Sequence, residues 1–185
     1  MALMHVNCYS KTLHQHISLD VLLPTEFEGD RFPADYKWPT MYLLHGLSDD
    51  HTVWPRWSSL ELKLSGLPLA VVMPTTLRGF YTDMKYGPAY FTFISRELPE
   101  LCEQFFHLSP LREDRFAAGL SMGGYGAIKL GLLCPDRFSA VASLSGALAV
   151  VGSTDCAFDY DTLLPEYSII FGERAQALGS ENDLF

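Results

Sequence analysis

The chain has 185 residues, 48% of them hydrophobic and 19% charged, with a net charge of −9. That length and balance fit one folded domain with a sizeable core and exclude a disordered or fibrous chain. The acidity is uneven, since residues 154–185 hold seven acids and a single base, Arg174. Without a basic stripe nothing draws the chain to nucleic acid or anionic membranes.

Cys8, Cys102, Cys134 and Cys156 are widely spaced and form no CxxC pair, so free thiols and a reducing cytoplasm are expected. The opening residues MALMHVNCYSK lack the basic and long apolar regions of a secretory signal. The longest uncharged stretch, 138–154, is short for a membrane span and is broken by serines and glycines.

In chain order, residues 3–9 and 13–23 read as two strands joined by a very short link, an antiparallel edge hairpin. In the second, Leu13, Gln15, Ile17, Leu19 and Val21 alternate with His14, His16, Ser18 and Asp20, the period of a half-exposed strand. The proline-containing stretch 24–39 is expected to be loop. TMYLLHG at 40–46 and PLAVVMP at 68–74 are apolar runs suited to strands buried on both faces, with a helix over 53–65 between them.

After an aromatic loop, Ile94, Leu98, Leu101 and Phe105 form one apolar helical stripe, with a kink or restart expected at Pro99. A strand at 114–119, a helix at 122–133 and a strand at 138–144 follow. The alternation implies a mostly parallel sheet with helices on both faces, in a single domain over 1–185. Residues 147–185 are expected to be part of a cap or a surface segment.

Gly119-Leu120-Ser121-Met122-Gly123 has the form G-x-S-x-G, with a small-residue strand running into it and a helix opening after it. That is the setting of a nucleophile elbow, in which a strained turn lifts the serine hydroxyl above the sheet. Gly119 and Gly123 would remove side chains that collide across so tight a bend. Helix N–H groups starting at Met122 would face a developing oxyanion, and Leu47, after the strand ending in His45-Gly46, is placed to supply the second donor. His45, Trp54 and Tyr81 are candidates to line the substrate pocket, although anchoring of the loops explains the aromatic residues as well. His5, His14 and His16 read as solvent-facing positions without a carboxylate partner, so no metal site is expected.

The phrases LLHGLSDD, YTDMKYGPAYFTFISRELP, GLSMGGYGAIKL and ASLSGAL resemble the esterase D family, which includes S-formylglutathione hydrolases, and are most similar to bacterial tributyrin-type esterases. The resemblance covers nearly the whole chain. It implies an α/β-hydrolase fold, Ser121 as nucleophile, oxyanion donors at Leu47 and Met122, and short-chain carboxylic esters as substrates. It also implies no metal or organic cofactor.

A serine hydroxyl needs a base, and in this fold the histidine follows the serine along the chain. Here His5, His14, His16, His45, His51 and His107 all precede Ser121. Loss of a triad histidine costs about 10⁶ in kcat. The expectation is therefore a fold truncated on its C-terminal side, with the acid and histidine beyond residue 185 and the 185-residue chain nearly inactive. His45 or His51 as an unusual base is one alternative, although hydrogen bonding that holds the loop suits His45 better, and a catalytically inactive ligand-binding or interaction module is the other. Truncation would also leave an apolar sheet edge open to pairing with another chain, giving a homo-oligomer.

Overall fold

A computed structural model describes residues 1–25, 32–152 and 166–185. Cys156 and the acids Asp155, Asp159 and Asp161 lie outside them. Six strands form one sheet in the order β1-β2-β4-β3-β5-β6. They are β1 (Ala2–Ser10), β2 (Gln15–Leu23), β3 (Thr40–Leu44), β4 (Ala70–Pro74), β5 (Arg115–Leu120) and β6 (Ala140–Leu144). The expected hairpin is present, with Ala2 opposite Leu23 and Ser10 opposite Gln15, and β2 joins β4 antiparallel. The remaining joins are parallel: β4 to β3, β3 to β5 and β5 to β6.

β3 and β4 are apolar because both faces of the sheet are covered. On one side Ile17, Leu19, Val21, Tyr42 and Val72 enter the main core with Phe93, Leu98 and Tyr125. On the other, Leu22, Leu43, Val71 and Met73 meet Leu64, with Trp54 and Leu60 packed at the margin. β2 departs from the half-exposed strand its alternation suggests. Lying between β1 and β4, its residues 19–22 are buried on both faces. Asp20 is therefore an interior carboxylate, which takes a 2.6 Å hydrogen bond from His5 Nδ1.

The helix expected over 53–65 is two short ones, α1 (Val53–Trp57) and α2 (Leu60–Leu64). Ser58 breaks them: its backbone is extended, its hydroxyl donates to Trp54 O, and it accepts from Leu60 N–H. Serine side chains compete with the helix ladder in this way. The Pro99 kink takes a definite form. α3 (Tyr90–Thr92) passes into a π-helical turn, Phe93–Glu97, and then α4 (Leu98–Phe106). Leu98 N–H donates five residues back to Phe93 O, widening the turn ahead of a residue that has no N–H to give. The same turn aims Glu97 at the β1–β2 hairpin, where its carboxylate accepts from Ser10 Oγ, Lys11 N–H and Thr12 N–H.

Helix α5 (Met122–Leu133) lies close over the sheet, a fit its small residues permit: a Cβ at Gly126 would come within 2.6 Å of the Tyr81 ring. Along α5 sits Lys129, fully buried. Its Nζ donates to Thr82 Oγ1 and Asn182 Oδ1 and lies 4.8 Å from the centre of the Phe91 ring, with no carboxylate of the described residues bonded to it. Asn182 belongs to the end of the chain, and its carbonyl also accepts from Tyr125 Oη at 2.8 Å. Helices α6 (Tyr167–Phe171) and α7 (Arg174–Ala177) precede it. Tyr167 and Phe171 stack around Phe80, so the described part of the tail is docked on the core.

Among the described strands β6 has one neighbour, and its Ala140, Ala142 and Leu144 are exposed. No helix of the described residues is long and apolar enough to cross a membrane.

Candidate active site

Ser121 stands at the junction of β5 and α5 with φ 55° and ψ −114°, a backbone conformation that L-residues seldom adopt. Three backbone bonds hold the bend. Ser121 N–H donates to Leu144 O, and Ser121 O accepts from both Tyr125 N–H and Ala147 N–H. The two glycines are required by contact distances. A Cβ on Gly119 would lie 2.3 Å from the Gly123 carbonyl, and one on Gly123 would lie 2.3 Å from Leu44 O and 2.8 Å from His45 O. The start of α5 and the loop after β3 therefore touch through backbone alone.

A serine preceding a helix ordinarily caps it, but Ser121 makes no side-chain capping bond. Its Oγ has no partner among the described residues, and the side chain is partly exposed. The amides of Leu47 and Met122 are likewise uncommitted among the described residues. An unspent hydroxyl thus stands at a helix start, with two unspent N–H donors on the adjoining segments.

The histidines beside the elbow are already occupied. His45 is fully buried, its Nδ1–H donating to Gly46 O at 2.7 Å and its Nε2 accepting from Thr76 N–H at 3.1 Å. Burial holds its pKa below the usual imidazole value, so the ring is neutral and neither nitrogen is free to take a proton. Tyr81, also fully buried, donates from Oη to His45 O at 3.1 Å. The expectation that His45 and Tyr81 line an open pocket is corrected, because both lie beneath the surface as braces for the loop after β3. His51 Nδ1 is 2.7 Å from Thr75 Oγ1, and its Nε2 lies 3.9 Å from Asp20 Oδ1. The reading of His45 as an unusual base loses its chemistry, because both of its nitrogens are bound.

The aromatic loop is mostly anchor. Phe80, Tyr81 and Tyr90 are buried, whereas Tyr86 is exposed. Trp54, by contrast, does line a surface cleft, together with Gly46, Asp49, Trp57 and Leu120. The reading of His5 as lacking a carboxylate partner is also corrected by its bond to Asp20, a contact hidden in sequence because it crosses the hairpin. Among the described residues no group of three or more His, Cys, Asp or Glu side chains could hold a metal ion.

A cavity of about 790 Å³ around Trp38, Tyr36 and Phe106 lies at the opposite end of the sheet, where β3 begins and β2 ends. Ligands of parallel sheets bind beyond the carboxyl ends of the strands, which is where Ser121 and the Trp54 cleft are found.

The strand order, the bend after β5 and the helix behind it define an α/β-hydrolase fold, and solved structures agree. A Staphylococcus aureus fluorophosphonate-binding serine hydrolase, FphF, superposes with TM-score 0.82 at 34% identity, covering 98% of this chain and 70% of its own. An S-formylglutathione hydrolase, FrmB, from the same organism gives 0.80 at 34% identity, with the same coverages. An acetyl esterase of Caldicellulosiruptor saccharolyticus is 31% identical over 194 residues, spanning all of this chain and 72% of the relative. With the Esterase family profile matching residues 10–156, the chain belongs to that family and is a carboxylic ester hydrolase.

Proposed function

We propose that the protein is a serine esterase cleaving short-chain acyl esters through an acyl-enzyme on Ser121. The observation that carries this reading is the free Oγ of Ser121, held at positive φ in front of α5. In the reaction Oγ adds to the ester carbonyl as its proton passes to a base. The oxyanion is held by the Leu47 and Met122 amides, and the C–O bond to the alcohol breaks as that proton moves to the leaving oxygen. Water then repeats the sequence on the acyl-enzyme, releasing the acid and the free serine.

His45 is bound at both nitrogens, which supports the reading that the base and its orienting acid follow residue 185 in the chain. The substrate is a small short-chain ester, in line with the likeness to an acetyl esterase. No step needs a cofactor. The free thiols of Cys8, Cys102 and Cys134 favour a cytoplasmic setting.

The test is labelling by a fluorophosphonate probe of two forms: the product of the whole reading frame and the 185-residue chain. Labelling of the former at Ser121, abolished by Ser121→Ala, together with loss of p-nitrophenyl acetate hydrolysis by about 10⁶ in kcat, is the expected result. Rapid labelling of the 185-residue chain would show that a base is present within it and would overturn that part of the reading.

A further inference from the structure

We propose that the cleft between the loop after β3 and α1 is the acyl subsite, and that Trp54 sets the chain length it takes while Asp49 bars anionic acyl groups. The inference rests on Ser121 being the nucleophile. The cleft has a volume of about 220 Å³ and is walled by Gly46, Asp49, Trp54, Trp57 and Leu120. Two of these, Gly46 and Leu120, directly precede the proposed oxyanion donor and the nucleophile. They also adjoin each other, since a Cβ on Gly46 would sit 3.8 Å from Leu120 O. The cleft therefore adjoins the two segments that carry the proposed donor and nucleophile.

The occupant follows from the direction of proton transfer. The leaving alcohol must depart toward the base that protonates it. On the β3 side both imidazoles near the site are bound, His45 at both nitrogens inside the core and His51 to Thr75. The base of this fold follows the serine in the chain, and β6, the strand that follows Ser121, lies beyond β5 on the side away from β3. The alcohol consequently leaves past β6, and the acyl group is directed to the β3 side, where the cleft lies.

Size and charge then define the substrate class. A space equal to about seven waters at ~30 Å³ each accepts an acyl chain of a few carbons but not a long fatty chain. Of the two tryptophans in the wall, Trp57 is exposed, whereas Trp54 is held in the packing against α2 and the sheet. Asp49 has no ion-pair partner among the described residues, and its turn is fixed by its own N–H donating to Gly46 O. Its carboxylate would repel an acyl group ending in a second carboxylate.

The experiment measures kcat/KM of the whole-reading-frame protein on p-nitrophenyl esters from acetate to decanoate, and on mono-p-nitrophenyl adipate beside the hexanoate. Trp54→Ala should raise the decanoate-to-acetate ratio at least about fivefold. Leu120→Ala provides the same test if the tryptophan variant does not fold. Asp49→Asn should narrow the preference for hexanoate over adipate by about three- to tenfold. Relative rates on acetates of different alcohols should stay unchanged in all three.

An active enzyme whose acyl profile ignores these substitutions, or whose alcohol profile shifts instead, overturns the subsite. A wild-type protein that cleaves none of the esters, or a Ser121→Ala variant that still does, overturns the esterase reading beneath it.

Discussion

At the scale of single residues, His45 shows how a side chain can be indispensable to a site without reacting in it. Its ring ties Gly46 O to Thr76 N–H, and its carbonyl receives the Tyr81 hydroxyl, so it fixes the loop from which Leu47 N–H must point. His45→Ala strands the Thr76 amide in a dry interior, an unpaired donor that costs about 1–3 kcal/mol, and opens a cavity besides. The expected outcome is a lower urea midpoint and a fall in kcat without the collapse that Ser121→Ala causes. Because the ring is neutral and has no free nitrogen, the pH–rate profile of the surviving activity should keep its shape. The sequence suggested that His45 holds the loop by hydrogen bonding, but not through which bonds. The partners Thr76 and Tyr81 come from the next strand-end loop, and no local pattern announces them.

Among elements, the most informative is the helical segment from Tyr90 to Phe106. Its apolar stripe and its break near Pro99 could be read directly, since periodicity and a missing N–H are local properties. The π-helical form of the break could not, nor could its effect of turning Glu97 onto the hairpin 85 residues upstream. Burial works against ionisation of Glu97, but the bonds from Ser10, Thr12 and Lys11 outweigh it and hold the pKa below the usual carboxylate value. A carboxylate whose pKa is depressed by folding stabilises above its unfolded pKa, and that contribution disappears as the pH falls through the folded one. Glu97→Gln should thus lower the melting temperature at pH 7 and differ progressively less from wild type as the pH drops below about 4. Circular dichroism melts across that range would show it; a constant gap between the two proteins would refute it. The strands themselves were legible because an apolar run bounded by loop residues has few other fates. The burial of β2 was missed because its neighbour β4 is about 50 residues away, so its period-two pattern could not reveal a second covering layer.

For the molecule as a whole, the tail and the active-site helix are linked through one interior cation. Lys129 is buried with neutral partners, and burial brings its pKa down to about 8. An unfolded lysine titrates near 10.4, so between these values the unfolded chain holds the extra proton and stability rises with pH. The charged ammonium therefore costs the fold about 3 kcal/mol at neutral pH, and that cost is removed across the window from about 8 to 10.4. Lys129→Met should flatten the rise in urea midpoint between pH 7 and 9.5. Equal slopes in the two proteins would show that the ammonium is hydrated rather than enclosed. The parallel sheet and the bend at Ser121 were anticipated because strand alternation and the pentapeptide are carried by short segments. The docked tail was not, since residues 166–185 carry no pattern that names Phe80, Tyr125 or Lys129 as their support.

The φ of 55° and ψ of −114° at Ser121 carry one last consequence. That region of backbone space suits glycine, and a side chain held there costs about 1–3 kcal/mol. A chain shaped for endurance alone would place glycine at the bend and melt higher. The hydroxyl is kept at the expense of thermal resilience, so the point where the chain is least relaxed is also the point where it can react.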